Sequence, residues 1–284
     1  MSRSLLCNTD GVSLAMVCLA TQRGGQGLAQ GQLQRACTDN HAWQFNTMQQ
    51  IHWVKADEDQ PMQLQQMFSL HGQRALVTGA SRGLGQAIAQ ALATAGAEVL
   101  CASSNQGGAD QTVRQIQAIG GQARPMAADL ADLDAVRKLA NQALDSGPID
   151  ILVNCGGTIS RAPALQFALS DWQQNLTVNL DAAFLLCQLL GQGMVERRHG
   201  KIINIASMLS YSGGITVPAY TASKHAIAGL TKALANEWAP FGVNVNAIAP
   251  GYFRTDNTAA LQANAERNQQ IMARLPAARW GEPE

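Results

Sequence analysis

The sequence predicts an α/β fold: a single doubly wound domain on a parallel sheet. Three observations predict it. Short apolar runs recur from Phe68 onward, each followed by a longer stretch whose apolar residues return at helical spacing. Those runs are uniformly apolar rather than alternating, as strands buried on both faces must be. A glycine-rich turn stands between the first run and the first helix, and no linker or internal repeat interrupts the alternation from there to the C-terminus.

Taken in order, Arg74–Thr78 (RALVT) is a strand, and Gln86–Ala95 has helical spacing. Glu98–Ala102 is the second strand, Asp110–Ile119 a helix and Arg124–Ala127 the third strand. Leu133–Leu144 reads as a helix that Asp132 can cap, its carboxylate accepting from the first free N–H groups. Ile151–Asn154 (ILVN) is the fourth strand, and a long helical stretch opens at Ser170–Asp171 and runs to about Arg198. A strand at Lys201–Ile205, a helix over Tyr220–Trp238 stopped by Pro240, and a strand over Val243–Ile248 complete the series. The alternation implies right-handed βαβ units.

Residues 1–66 differ in kind. They are rich in Gln, Gly, Asn and Thr and show no sustained period, so they are expected to form a disordered extension ahead of a domain over 67–284. Val12–Ala20 is apolar but short, and Asp10 sits badly before a secretory signal core; a natural start at Met62 or Met67 is an alternative.

With 46% hydrophobic and 14% charged residues, a sizeable buried core is expected. Lys+Arg and Asp+Glu balance at 20 each, without the basic surplus of a nucleic-acid binder. No apolar run in the sequence approaches the length of a membrane-spanning helix, so neither nucleic acid nor membrane is an expected partner. The six cysteines are scattered without a C-x-x-C pair and the histidines are dispersed, which predicts no metal site and reduced thiols in a cytoplasmic protein.

Thr78-Gly-Ala-Ser-Arg-Gly-Leu-Gly85 places Gly79, Gly83 and Gly85 between a strand and a helix. Glycines there allow a tight turn and close backbone approach to a pyrophosphate at the helix N-terminus, the Rossmann arrangement. Ser81, Arg82 and Leu84 lie within the same turn and are expected to share the cofactor contacts. NAD-specific sites usually place an acid at the end of the second strand; Ser103 and Ser104 stand there instead. Arg82 could pair with a 2′-phosphate, so NADP(H) is favoured over NAD(H).

Ser207 follows an apolar strand, and Tyr220 and Lys224 stand at i and i+4 on one helix face. If strand and helix are neighbours, three polar groups converge. A free tyrosine has a pKa near 10, too high for a base at neutral pH. Lys224, together with an oxidised nicotinamide, is expected to lower it, making Tyr220 a general acid–base for an alcohol or ketone whose oxygen Ser207 holds.

The set TGASRGLG, Val153–Gly157 (VNCGG), Ser207, Tyr220-x-x-x-Lys224 and Pro250-Gly251, in this order, resembles the short-chain dehydrogenase/reductase family from about Phe68 to the C-terminus. The resemblance implies that Asp129, with Leu130 beside it, contacts the adenine, and that Asn154 supports the strand next to the cofactor. It makes Asn179 a fourth catalytic residue, seating a water that links Lys224 to solvent, and it brings Thr255, Pro250 and Gly251 to the nicotinamide. Where the family usually has Asn-Asn-Ala-Gly this chain has Asn154-Cys-Gly-Gly157, small residues that should preserve the turn.

The stretches IINIASMLSYSGGITVPAYTASK, NEWAPFGVNVNAIAPGY and LPAARWGEP resemble the family's sugar-acid branch. Members of that branch often use NAD, which conflicts with the reading of Arg82 and Ser103. An acidic substrate needs a cation, and Arg161, just beyond the fourth strand, is the candidate. The family resemblance further implies a homotetramer. Its members normally continue for on the order of 30 residues beyond Glu284, adding a seventh strand to the sheet, so the last strand is expected to be missing. A related branch reducing 3-oxoacyl thioesters, and a truncated nucleotide-binding remnant, are the alternative readings.

Overall fold

The computed structural model describes residues 6–9, 12–15, 41–46, 50–55 and 68–283. The chain divides into two units, Met1–Gln63 and Leu64–Glu284. In the first, β1 (Leu6–Thr9) pairs antiparallel with β2 (Val12–Ala15), and β3 (His41–Asn46) with β4 (Gln50–Lys55). These hairpins interrupt the stretch for which no regular structure was expected; the rest of residues 1–66 lies outside the described residues.

The second unit is built on a six-stranded parallel sheet. Its strands are β5 (Arg74–Thr78), β6 (Glu98–Ser103), β7 (Gln122–Ala127), β8 (Ile151–Asn154), β9 (Gly200–Ile205) and β10 (Val243–Ile248), in spatial order β10-β9-β8-β5-β6-β7. The chain starts in the middle at β5 and winds outward through β6 and β7. It then returns to lay β8 on the other side of β5 and winds out to β10. Winding therefore reverses between β5 and β8, and in such sheets the crevice outside the carboxyl ends at the reversal receives the ligand.

The uniformly apolar strands serve two cores. In β5, Leu76 faces one side while Ala75 and Val77 face the other, and in β8 Leu152 opposes Ile151 and Val153. One face is covered by α1 (Gly83–Thr94) and α2 (Asp110–Ala118), through Ala89, Ala93, Val113 and Ile116. The other is covered by α3 (Leu133–Asp145), α5 (Ala182–Arg197) and α6 (Pro218–Trp238), through Leu139, Leu186, Leu190 and Leu234. Asp132 caps α3 as expected, its carboxylate accepting from the N–H groups of Asp134 and Ala135. α6 ends at Trp238, and the chain turns through Ala239–Phe241 to Gly242 at φ 72°.

The expectation of no membrane-length apolar run needs correction. α4 (Leu169–Leu176), a π turn at Thr177–Asp181 and α5 form one continuous helix. This helix, Leu169–Arg197, is by length and composition apolar enough to cross a membrane, its 18-residue apolar stretch having a mean hydropathy of 1.3. Its apolarity has a local cause: Leu185, Leu186, Leu190 and Met194 are buried in the core against the sheet. Beyond β10, α7 (Asp256–Ala263) and α8 (Ala265–Met272) follow, and Phe253 and Gly281 form a parallel bridge. β10 lies at the edge of the sheet, with Ile248 half-exposed.

Candidate active site

The glycine turn closes tightly because its glycines leave no room for anything larger. A Cβ on Gly85 would stand 2.1 Å from the Gly79 carbonyl oxygen, and one on Gly79 would stand 2.8 Å from Gly156 Cα. Gly79 and Gly83 also have φ of +67° and +54°, the left-handed region that favours glycine. Thr78 ties the turn across the winding reversal, its Oγ1 accepting from the N–H groups of Cys155 and Gly156 at 3.0 Å each. The Asn154-Cys-Gly-Gly157 turn thus holds its place despite its unusual residues. α1 starts without a side-chain cap. Its first N–H groups are left for an anionic group, so the cradle fits a dinucleotide pyrophosphate.

A cavity of about 410 Å³ opens over this turn. Of the residues expected at the cofactor, Gly79, Ser81, Arg82, Gly83, Leu84, Gly85, Ser103, Ser104, Asp129, Leu130, Pro250, Gly251 and Thr255 line it, as do Ser207, Tyr220 and Lys224. Asn154, Asn179 and Arg161 do not. Thr78, Cys155, Gln174, Val178, Phe253 and Asp256 line it without having been anticipated. They lie on a strand end, on loops and on helices whose meeting depends on the fold.

Ser207 follows just beyond β9 and caps a short 3₁₀ turn, its Oγ accepting from Leu209 N–H at 3.1 Å. Pro218 starts α6, its fixed φ suited to the first helical position, and sets Tyr220 and Lys224 on the face toward β9. Ser210 locks the two elements together by donating to the Lys224 carbonyl at 2.5 Å. The Lys224 ammonium donates to Ile205 O at 2.6 Å and lies 5.5 Å from the centre of the Tyr220 ring.

Burial dominates the electrostatics. It raises the Tyr220 pKa, while a hydrogen bond with Ser207 and the charge of Arg161 partly oppose it. In the free protein burial therefore outweighs any lowering by Lys224, and the phenol is protonated at neutral pH; the expected lowering includes the charge of an oxidised nicotinamide and concerns the coenzyme-bound protein. Lys224 itself is pushed down from 10.5 to about 8 by burial, with Cys155 partly opposing. Cys155 faces the site, but burial raises its thiol to about 11, with Lys224 opposing. It is a protonated, weak nucleophile at neutral pH.

Lys224 supplies a test. Between about pH 8 and pH 10.5 the unfolded chain keeps a proton that the folded chain has lost, so stability rises with pH through that window. Below it both states are protonated and the burial cost is fully present. Lys224→Met loses the bond to Ile205 O at every pH, so the signature is a slope. Its stability relative to wild type should fall by on the order of 3 kcal/mol between pH 7 and pH 10.5. Denaturant melts at several pH values check this, and a pH-independent difference would overturn it.

Asn179 sits in the π turn, buried, with its amide clamping one residue of the loop after β8. Its Oδ1 accepts from Thr158 N–H at 2.8 Å, and its Nδ2 donates to Thr158 O at 2.9 Å and Ser223 Oγ at 3.1 Å. Asn175, not foreseen, holds the next part of that loop by donating to Ser160 Oγ at 2.8 Å. Its signal in the sequence was its i, i+4 spacing from Asn179. Asn154 is turned toward β9, donating to Asn204 Oδ1 at 2.8 Å; Asn204 in turn donates to Thr231 Oγ1 at 3.0 Å. This buried chain braces β8, β9 and α6 beneath the cavity. The Ser103 hydroxyl donates to Asn105 O at 2.9 Å, and Asp129 Oδ1 accepts from Ala131 N–H at 2.9 Å.

The sequence profile described as short chain dehydrogenase matches residues 73–266. The chain belongs to the short-chain dehydrogenase family. It is 48% identical over 219 residues to 2-dehydro-3-deoxy-D-gluconate 5-dehydrogenase of Bacillus subtilis (strain 168), covering 77% of this chain and 86% of that one. It is 41% identical over 219 residues to gluconate 5-dehydrogenase of Gluconobacter oxydans (strain 621H), covering 77% and 86%. A crystal structure of a gluconate 5-dehydrogenase from Burkholderia cenocepacia J2315, in complex with NADP and tartrate, is 39% identical with a TM-score of 0.73. It covers 76% of this chain and 85% of that one.

In this short-chain dehydrogenase the segment after β10 closes one side of the cavity. Arg82 pairs with Asp256 at 3.1 Å, and Arg161 donates to Asn257 O at 2.8 Å. Trp280 anchors the segment from beneath, buried, donating to Asn268 Oδ1 at 2.9 Å and packed edge-on against Tyr252. A larger cavity of about 980 Å³ lies at the amino ends of the strands. Its charged residues are already engaged: Arg74 with Glu98 at 2.8 Å, and Asp150 with Arg74 N–H at 3.0 Å. Size alone does not make it the reactive site. Among the described residues no group of His, Cys, Asp and Glu could hold a metal ion.

Proposed function

We propose that this short-chain dehydrogenase interconverts a secondary alcohol and a ketone on a gluconate-type sugar acid, using NADP(H), with Tyr220 as the acid–base. The observation that carries the substrate class is the place of Arg161: it is a cation on the loop that Asn179 and Asn175 hold, and its guanidinium donates to Asn257 O at the cavity wall. A cation at the rim of the cavity suits a substrate that carries a carboxylate at some distance from its reacting carbon. The names of the relatives point the same way.

The nicotinamide, when bound, supplies or accepts the hydride at the carbon bearing that oxygen. In ketone reduction Tyr220, protonated in the free protein, gives its proton to the substrate oxygen. In alcohol oxidation it takes that proton. Ser207 holds the same oxygen by a hydrogen bond and fixes the reacting carbon. Lys224 supplies positive charge behind the phenol and hydroxyl contacts to the cofactor ribose. Asn179 and Asn175 act as positioning residues, holding the loop from Thr158 to Arg161. Arg82, with Ser103 and Ser104 in place of an acid, supports NADP(H) over NAD(H), and NADP is the ligand in the Burkholderia structure.

Arg161→Ala should raise KM for a 5-keto-gluconate-type acid by about 10-fold or more while sparing a neutral ketone. Equal effects on both would overturn the acid site. Turnover of a 3-oxoacyl thioester but of no sugar acid would overturn the proposed substrate class.

A further inference from the structure

Arg82, with Ser103 and Ser104 in place of an acid, favours NADP(H), yet Arg82 already has a partner of opposite charge. Arg82 Nε meets Asp256 Oδ2 at 3.1 Å, with the two side chains 74% and 68% exposed. The contact is not a chance meeting of mobile tips, because the backbone beneath it is packed. Asp256 follows Thr255, and a Cβ on Gly83 would come within 3.3 Å of Thr255 Cγ2. Thr255 N–H donates to Thr258 Oγ1 at 3.1 Å, and Arg161 holds Asn257 O. The carboxylate is therefore carried to the glycine turn by a bound segment.

We propose that Asp256 is a specificity-determining residue for the coenzyme, competing with the 2′-phosphate of NADP(H) for Arg82. This rests on the reading of Arg82 as the phosphate-facing cation. NAD(H) presents only a hydroxyl at that position and has no charge with which to displace the carboxylate. NADP(H) presents a phosphate monoester of about −1.5 to −2 charge. That phosphate can take the guanidinium, but only at the cost of the existing pair. Both groups are exposed, so the pair is weak and its cost small. Asp256 thereby lowers affinity for NADP(H) a few-fold, leaves NAD(H) untouched, and narrows the gap between them.

The test measures equilibrium dissociation constants for NADPH and NADH from their fluorescence, in wild type, Asp256→Asn, Arg82→Gln and the double variant. The proposal expects Asp256→Asn to tighten NADPH about 2- to 5-fold, to leave NADH unchanged, and to have no effect once Arg82 is Gln. If Arg82→Gln weakens NADPH selectively but Asp256→Asn changes nothing, the competition is overturned and the coenzyme reading stands. If Arg82→Gln does not alter the NADPH-to-NADH ratio, Arg82 does not face the phosphate and both fall. Thermal melts of all four proteins check that folding is unchanged, as the exposure of both side chains requires.

Discussion

Tyr220→Phe is expected to lower turnover by about 10²- to 10⁴-fold in both directions, with NADPH affinity changed by less than a few-fold. The change removes one oxygen and keeps the ring, so the packing of α6 against the 3₁₀ turn survives. Lys224 keeps its bond to Ile205 O, because that contact does not involve the phenol. Ser207 would still orient the substrate oxygen, but no proton donor would remain at the reacting point. The pH dependence separates loss of chemistry from loss of shape. Burial holds the phenol pKa above its ordinary value in the free protein. Alcohol oxidation by wild type, which needs the phenolate, should therefore rise with pH. The residual oxidation of the phenylalanine variant should lack that rise. A variant retaining more than about a tenth of wild-type turnover would remove Tyr220 from the acid–base role.

Gly85→Ala is expected to abolish measurable coenzyme binding and to destabilise the fold by on the order of 1–3 kcal/mol. The added methyl would stand 2.1 Å from Gly79 O and 2.7 Å from Gly79 C, both backbone atoms with nowhere to go. Relief requires α1 to move off the glycine turn. That movement withdraws the helix N-terminus from the pyrophosphate and loosens Ala89 and Ala93 from the core. Gly229, on α6 with nothing within 4 Å of a Cβ, is the matched control. Its replacement by alanine should be neutral or stabilising by up to about 1 kcal/mol. Thermal melts with and without NADPH read both effects, since a ligand that binds only the folded state raises its melting temperature. A Gly85→Ala protein with an undiminished NADPH shift would show that the turn yields.

The fold was largely legible because buried parallel strands leave a signal that needs no partner information: β5, β8 and β10 match their expected limits. α1 begins three residues before its apolar spacing does, because Gly83–Gly85 serve turn and helix together. Tyr220 and Lys224 were legible for a similar reason, since i and i+4 share a helix face wherever the helix packs. What escaped depends on distance in space. The direction of the Tyr220 pKa comes from how deeply the phenol is enclosed. Asp256 stands far along the chain from Arg82, and Asn175 is one polar helix residue among several until the loop it holds is known. The helix Leu169–Arg197 looked shorter in apolar character because its polar front half serves the site.

That helix carries a further consequence through its π turn at Thr177–Asp181. A wide turn inserts about one residue into the α-helical ladder, so the two halves run out of phase. The front half directs Asn175 and Asn179 to the loop, and the rear half directs Leu186 and Leu190 to the sheet. Removing one residue there would restore a single phase and swing one half by about 100° against the other. Either the amides would meet the core or the leucines would meet water. A one-residue deletion, commonly absorbed in loops, would be ruinous here. Substitutions that respect the phase leave each half free to change without the other, so the loop that greets the substrate can be retuned while the core stays as it is.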